Sequence, residues 1–231
     1  MLQHMRLLPL AGLLWAAQGW ALPALDAAKA EFKALRYPQA EKALKDVLAA
    51  SGLSRAEVLE VYELQALLAA GANRGADARE AFVALLTLDP EYKLKGKPSP
   101  RVTTPFFEAR AQVKEQGPLS VSVEVQPTVE RVGNVRIAAR GRTDQVRAIR
   151  AEVTEGNETR SIVLPAEGGQ VAVSSRAATV KVTVLGALDW TLLEPAASRF
   201  ESPSAAAPAP VAAVTAVQPP PPSPPPVVVE T

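Results

Sequence analysis

At 231 residues the chain has room for one or two modest domains, and its 25 lysines and arginines nearly balance 24 aspartates and glutamates. Without a net field, nothing in the composition points to nucleic acid or to an acidic surface as a partner. Cysteine is absent and the single histidine is His4, which excludes Ser-His-Asp and Cys-His catalysis, and nearly all zinc sites, downstream of the N-terminus.

The first residues read "MLQHMRLLPLAGLLWAAQGWA". Arg6 supplies a positive n-region, Leu7 to Ala17 an apolar run, and Gly19-Trp20-Ala21 a small-x-small cleavage site. This pattern predicts a secretory leader over residues 1–21, with the mature chain starting at Leu22. The apolar run is shorter than the roughly 20 residues of a membrane span, and no later segment is apolar enough to make one. A disulfide-free exported chain fits a bacterial periplasm. With no cysteine at the cleavage site, a lipid anchor there is not expected.

Helical periodicity follows. In "AEKALKDVLA" the residues Ala40, Ala43, Leu44, Val47 and Leu48 fall on one helical face. In "AREAFVALLT" the residues Ala78, Ala81, Phe82, Leu85 and Leu86 repeat that set at an offset of 38 residues. Each segment has a helical partner upstream. "AAKAEFKAL" precedes the first, with a turn at Tyr37-Pro38 and Pro38 at a helix start. "SRAEVLEVYELQALLAAG" precedes the second, with Ser54 and Glu57 spaced as a capping box. Ser51-Gly52, Gly71 and Asp89-Pro90 punctuate the helix ends. A fifth helix is expected over residues 99–116, "SPRVTTPFFEARAQVKEQ", with Thr104-Pro105 as its cap and first residue.

"RYPQAEKALKDVLA" and "GADAREAFVALLTLDPEY" resemble the turn and second helix of tetratricopeptide repeat units, the Leu-Asp-Pro ending being the most specific element. The likeness covers about residues 25–92 and two units, with the loop around "GANRG" reading as lengthened relative to the family. It implies that recognition is carried by the first helix of each pair on a concave side, where Glu60 and Glu63 are the candidate partner-binding residues. The alanine-leucine stripes themselves read as helix-to-helix core.

From Gly117 the period changes to two. "LSVSVEV", "NVRIAA", "VRAIRAEVTE", "TRSIVLP", "QVAVSS" and "TVKVTVLG" alternate apolar with polar as half-buried strands do, and "WTLLE" adds a seventh candidate. Gly133-Asn134, Gly156-Asn157 and Gly168-Gly169 read as turns. This spacing predicts a small antiparallel β-sandwich of immunoglobulin-like architecture. Arg136, Arg140, Arg142, Arg147 and Arg150 are expected on solvated strand faces. Asn157 in "GNET" matches a glycosylation acceptor, and is read here as a hairpin turn.

The last stretch, "ESPSAAAPAPVAAVTAVQPPPPSPPPVVVET", cannot build a core. Polyproline II at about 3.1 Å per residue is its expected local state, a reach of roughly 90 Å. The expected organisation is therefore α+β with two domains. Residues 1–21 are the leader, 22–116 a tetratricopeptide-like helical domain, 117–198 an immunoglobulin-like β-sandwich, and 199–231 a disordered Pro/Ala-rich tail. The whole resembles Gram-negative envelope proteins that join these parts. That likeness implies a non-catalytic periplasmic scaffold or adaptor with protein partners in the cell envelope, and no catalytic, cofactor or metal residues. The alternative is a module that binds cell wall or polysaccharide through the sandwich, which would want exposed aromatics there; Trp190 and Phe200 are the candidates. The tail is a candidate contact for peptidoglycan or a proline-binding partner. A carboxylate glycosidase needs two acids about 5–9.5 Å apart across a cleft, and ranks last.

Overall fold

The computed structural model describes residues 21–126, 133–174, 177–195 and 197–201. Residues 1–20 of the expected leader and all but the first few residues of the proline-rich tail lie outside the described residues; Ala21, the last residue of the expected leader, opens the first helix. The architecture is α+β: five helices, then antiparallel sheets. Among the described residues no helix is long and apolar enough to cross a membrane.

Helices α1 (Ala21–Lys33) and α2 (Tyr37–Leu48) form one antiparallel hairpin, and α3 (Arg55–Gly71) and α4 (Gly75–Leu88) a second. The periodic residues do pack inward: Ala40, Leu44 and Val47 from α2, and Ala78, Ala81, Phe82, Leu85 and Leu86 from α4, are all buried. Ala43 and Leu48 are only half-buried at the edge of that core. Ser54 caps α3 with both halves of the capping box in place, its side chain accepting from the Glu57 N–H while the Glu57 carboxylate accepts from the Ser54 N–H at 2.8 Å.

The 38-residue repeat is visible in the backbone as well as in the side chains. After α1, Leu35 sits in the left-handed region (φ 60), the Arg36 N–H donates to the Glu31 carbonyl and the Leu35 N–H to that of Phe32. After α3, Asn73 has φ 59, Arg74 donates to Ala69 and Asn73 to Ala70. Both are Schellman closures, which satisfy otherwise orphaned carbonyls at a helix end. The turn in the first hairpin therefore lies before Tyr37-Pro38, which already belong to α2. The second loop is only Ala72–Arg74, so the "GANRG" segment is not lengthened: its glycines belong to the two helices.

Helix α5 (Pro100–Gln116) starts earlier than Thr104-Pro105 suggests. Ser99 is its N-cap residue and Pro100 its first residue, where a missing N–H costs nothing. Pro105 sits inside the helix and is buried. Phe106 packs edge-on against Phe82 at 5.3 Å between centroids and near Tyr92 at 6.3 Å, holding α5 on α4.

Strands β1 (Ser120–Gln126), β2 (Gly133–Arg140) and β5 (Gly168–Val173) form one sheet in the order β1-β2-β5. The second runs β4 (Glu158–Pro165), β3 (Ala148–Glu155), β6 (Ala177–Leu185), β7 (Thr191–Leu193), with β8 (Ser198–Glu201) also paired to β6. Every pairing is antiparallel. Alternation places Val135, Ile137, Val171 and Val173 of the first sheet, and Ile149, Ala151, Val153, Val180, Val182 and Val184 of the second, in the core. Gly133-Asn134 is not a turn: it opens β2, with Asn134 opposite both Gln126 and Ala172. The turn before β5 is Ala166-Glu167. Gly168 follows it at φ 101, where a Cβ would lie 2.0 Å from the Ile137 carbonyl oxygen, so only glycine lets the chain switch sheets there. β8 carries the sheet past residue 198 to Glu201.

The helices and sheets share one continuous core that includes Leu53, Leu88, Leu119, Trp190 and Leu192. Main chain joins them directly. The Gly52 N–H donates to the Leu188 carbonyl at 2.9 Å and the Thr191 N–H to that of Leu53 at 2.8 Å. The Trp190 indole N–H donates to the Ala50 carbonyl at 2.7 Å. On the other side of α3, the Leu119 N–H donates to the Thr87 carbonyl at 3.0 Å.

Candidate functional site

The first helices of the two hairpins, α1 and α3, leave a groove between them. Lys29, Phe32 and Lys33 come from α1, Glu60, Glu63, Leu64 and Leu67 from α3, and Lys95 from the loop after α4. These side chains enclose a cavity of about 320 Å³. Residues four and seven apart share a helix face, so Lys29 and Lys33, and Glu60, Glu63, Leu64 and Leu67, reach the groove together. Its floor is apolar (Phe32, Leu64, Leu67) and its rim is charged.

Glu60 and Glu63, the two candidates from the sequence, both line this groove, but neither is a free carboxylate. Glu60 accepts from the Lys29 ammonium, which also lies 3.7 Å from Asp26. Glu63 accepts from Lys95 at 3.4 Å. Lys33 has no carboxylate partner among the described residues. These are solvent-screened pairs worth about 0–1 kcal/mol each, so an incoming charged segment can exchange with them at little cost. Tyr92 lies beside Glu63. Its phenol is pushed well above the usual range by burial first, then by the Glu63 and Asp89 carboxylates. The lysine partners lie 31 and 32 residues from their glutamates, which no helical periodicity reveals.

A second depression of about 420 Å³ opens between α2 and α4 over α3. Its rim is tied shut at one end by Arg74, which bridges Glu41 of α2 and Asp77 of α4, the latter at 3.4 Å. Tyr62 reaches from its floor to the sheet side, donating to Gln145 at 3.4 Å. Burial first, and Asp144 second, raise its pKa.

The sandwich offers little comparable. Trp190 is 6 % exposed with its indole N–H committed to Ala50, and Phe200 is half-buried. Phe107 of α5, 60 % exposed, is the one aromatic among the described residues that stands out into solvent. The five arginines do not form one patch: Arg136 and Arg140 lie on β2, Arg150 on β3, while Arg142 pairs with Asp144 and Arg147 with Asp189. Asn157 does occupy the β3–β4 turn. Among the described residues no three His, Cys, Asp or Glu side chains converge on one point. Comparison of the chain with family models, curated proteins and solved structures returns no match.

Proposed function

We propose that the protein is a non-catalytic scaffold of the bacterial cell envelope, exported to the periplasm by its leader, that holds a protein segment in the groove between α1 and α3. Two helix hairpins with the same 38-residue period and the same closures support reading them as a tetratricopeptide-like pair, with α5 as a closing helix. Strands that pass between two antiparallel sheets at β2–β3, β4–β5 and β5–β6 support reading the sheets as an immunoglobulin-like sandwich. The observation that carries the functional reading is the groove itself: an apolar floor of side-chain size, on the first helices, under a rim of weak and exchangeable ion pairs. The glycan-binding alternative is less well supported, since among the described residues of the sandwich Trp190 is buried against the helices and Phe200 is half-buried.

The test is cross-linked capture from an envelope fraction with the chain from Leu22 and with a Leu67→Glu/Lys33→Glu variant. Leu67 is half-buried at the groove and Lys33 exposed, so the variant is expected to keep its helix signal. Specific proteins captured by the parent and lost from the variant support the groove. An unchanged set, or recovery of peptidoglycan alone, overturns it.

A further inference from the structure

The two sheets leave four unpaired edges among the described residues, and three of these are blocked. β4 ends in Pro165 and carries Glu158 and Arg160. β5 is short, starts with two glycines, and has its Ala172 carbonyl capped by the Arg160 guanidinium. The β7–β8 edge is broken into pieces of three and four residues with Pro195 between them. These are the usual devices that keep sheet edges from pairing with other chains.

β1 has none of them. It runs seven residues, "SVSVEVQ", without proline, glycine or lysine, and its only charge is Glu124, 3.4 Å from Arg140 of β2. Its inward valines are also under-covered. Val121, Val123 and Val125 lie opposite Ala139, Ile137 and Val135, on the face that points into the sandwich. Val135 and Ile137 are 1 % exposed, yet Val121 and Val123 are only half-buried and Val125 is 44 % exposed. Among the described residues the core is open along this edge, as if a strand were missing beside β1.

We propose that the missing strand is β1 of a second copy, paired antiparallel about a two-fold axis at Val123. The sequence of β1 is self-complementary in that register. Val121 meets Val125 of the other copy and Val123 meets its own equivalent, so all the inward positions pair apolar with apolar. On the outer face Ser122 meets Glu124 of the other copy and Ser120 meets Gln126, so no like charges oppose each other, and the Ser122 hydroxyl, which now donates to the Ala138 carbonyl at a long 3.4 Å, can turn to the carboxylate. A shift of one residue toward the C-terminal end would set Glu124 against itself. The result is a continuous sheet β5-β2-β1-β1-β2-β5 with both free edges already blocked, a closed dimer that does not propagate. This surface is independent of the groove between α1 and α3, and stands or falls without it.

Sedimentation equilibrium of the chain from Leu22 tests it, with deuterium exchange locating the contact. A concentration-dependent dimer is expected, with slowed exchange over residues 120–126 on dimerisation. Ser122→Glu sets glutamates against Glu124 at both symmetric positions and weakens the dimer on the order of fivefold. Ser122→Lys sets lysines there and tightens it by a similar factor, or about 1 kcal/mol. Nonspecific damage to the strand would weaken both, so the opposite signs are diagnostic. A monomer at high micromolar concentration overturns the proposal. So do equal effects of the two substitutions, or loss of the dimer in a chain ending at Glu201, which would place the contact in the tail.

Discussion

Leu35 and Asn73 occupy equivalent places in the two hairpins, at φ 60 and φ 59, and only one of them suits the geometry. A left-handed backbone brings Cβ close to the following carbonyl oxygen and costs most L-residues roughly 1–2 kcal/mol, whereas asparagine tolerates it. Leu35 is 71 % exposed, so little packing is lost when it is replaced. Leu35→Asn is therefore expected to stabilise the protein by about 0.5–1 kcal/mol. The reciprocal Asn73→Leu should destabilise it by about the same amount. For a body of this size about 1 kcal/mol moves the melting temperature by roughly 2–4 °C, so the two variants should differ by several degrees in a thermal melt followed by circular dichroism. Urea midpoints at unchanged slope would confirm that the native state is the one affected. If Leu35→Asn melts at or below the parent while Asn73→Leu is neutral, the strain does not reside in these closures and the argument fails.

Trp190→Phe removes the indole donor to Ala50 and part of a buried ring. A lost hydrogen bond of about 1 kcal/mol and a comparable packing loss should lower the melting temperature by roughly 4–8 °C; a shift under about 1 °C would show that the indole contact adds no stability. Stability should also fall above pH 10: the folded pKa values of Tyr62 and Tyr92 lie above the ordinary 10.0, so the unfolded chain loses these protons first. That contribution is complete below pH 10 and disappears as the pH rises through the folded values. Tyr92→Phe should flatten the alkaline side of a urea-midpoint profile, and an unchanged slope would refute the assignment.

What could be read from the sequence was what local physics controls. The helical faces were legible because one period sets both spacing and burial: Ala78, Ala81, Phe82, Leu85 and Leu86 were marked as a face and are all buried. The start of α5 was misplaced because two Ser/Thr-Pro pairs compete there. Ser99-Pro100 gains a longer helix, whose added first turn brings Val102 against the core. Gly133-Asn134 carries the composition of a turn, but pairing on both sides holds it in the sheet. Glu60 and Glu63 lie on one face of α3. Their lysine partners come from other elements, and nothing periodic announces a contact across 31 residues.

The seam between helices and sheets is the feature that local patterns could least foretell, and it constrains function most. Trp190 and Ala50 are 140 residues apart and Tyr62 and Gln145 are 83 apart, and the remaining ties are between main-chain groups, which carry no side-chain signature. Leu188 and Asp189 hold left-handed backbone there at φ 52 and φ 58, a conformation that persists only where surrounding contacts fix it. Reciprocal bonds from Gly52 to Leu188 and from Thr191 to Leu53 fix it from both sides. A helical array tethered by a loose linker would let its groove wander relative to the sandwich. Here Leu53, Leu119, Trp190 and Leu192 lie in one core, so the groove between α1 and α3 and the edge of β1 belong to one body. Two copies joined at β1 would then present two grooves at a fixed separation. A partner with two matching segments would gain the effective concentration of an intramolecular second contact, which gives the β1 edge a purpose in a scaffold that the groove alone does not supply.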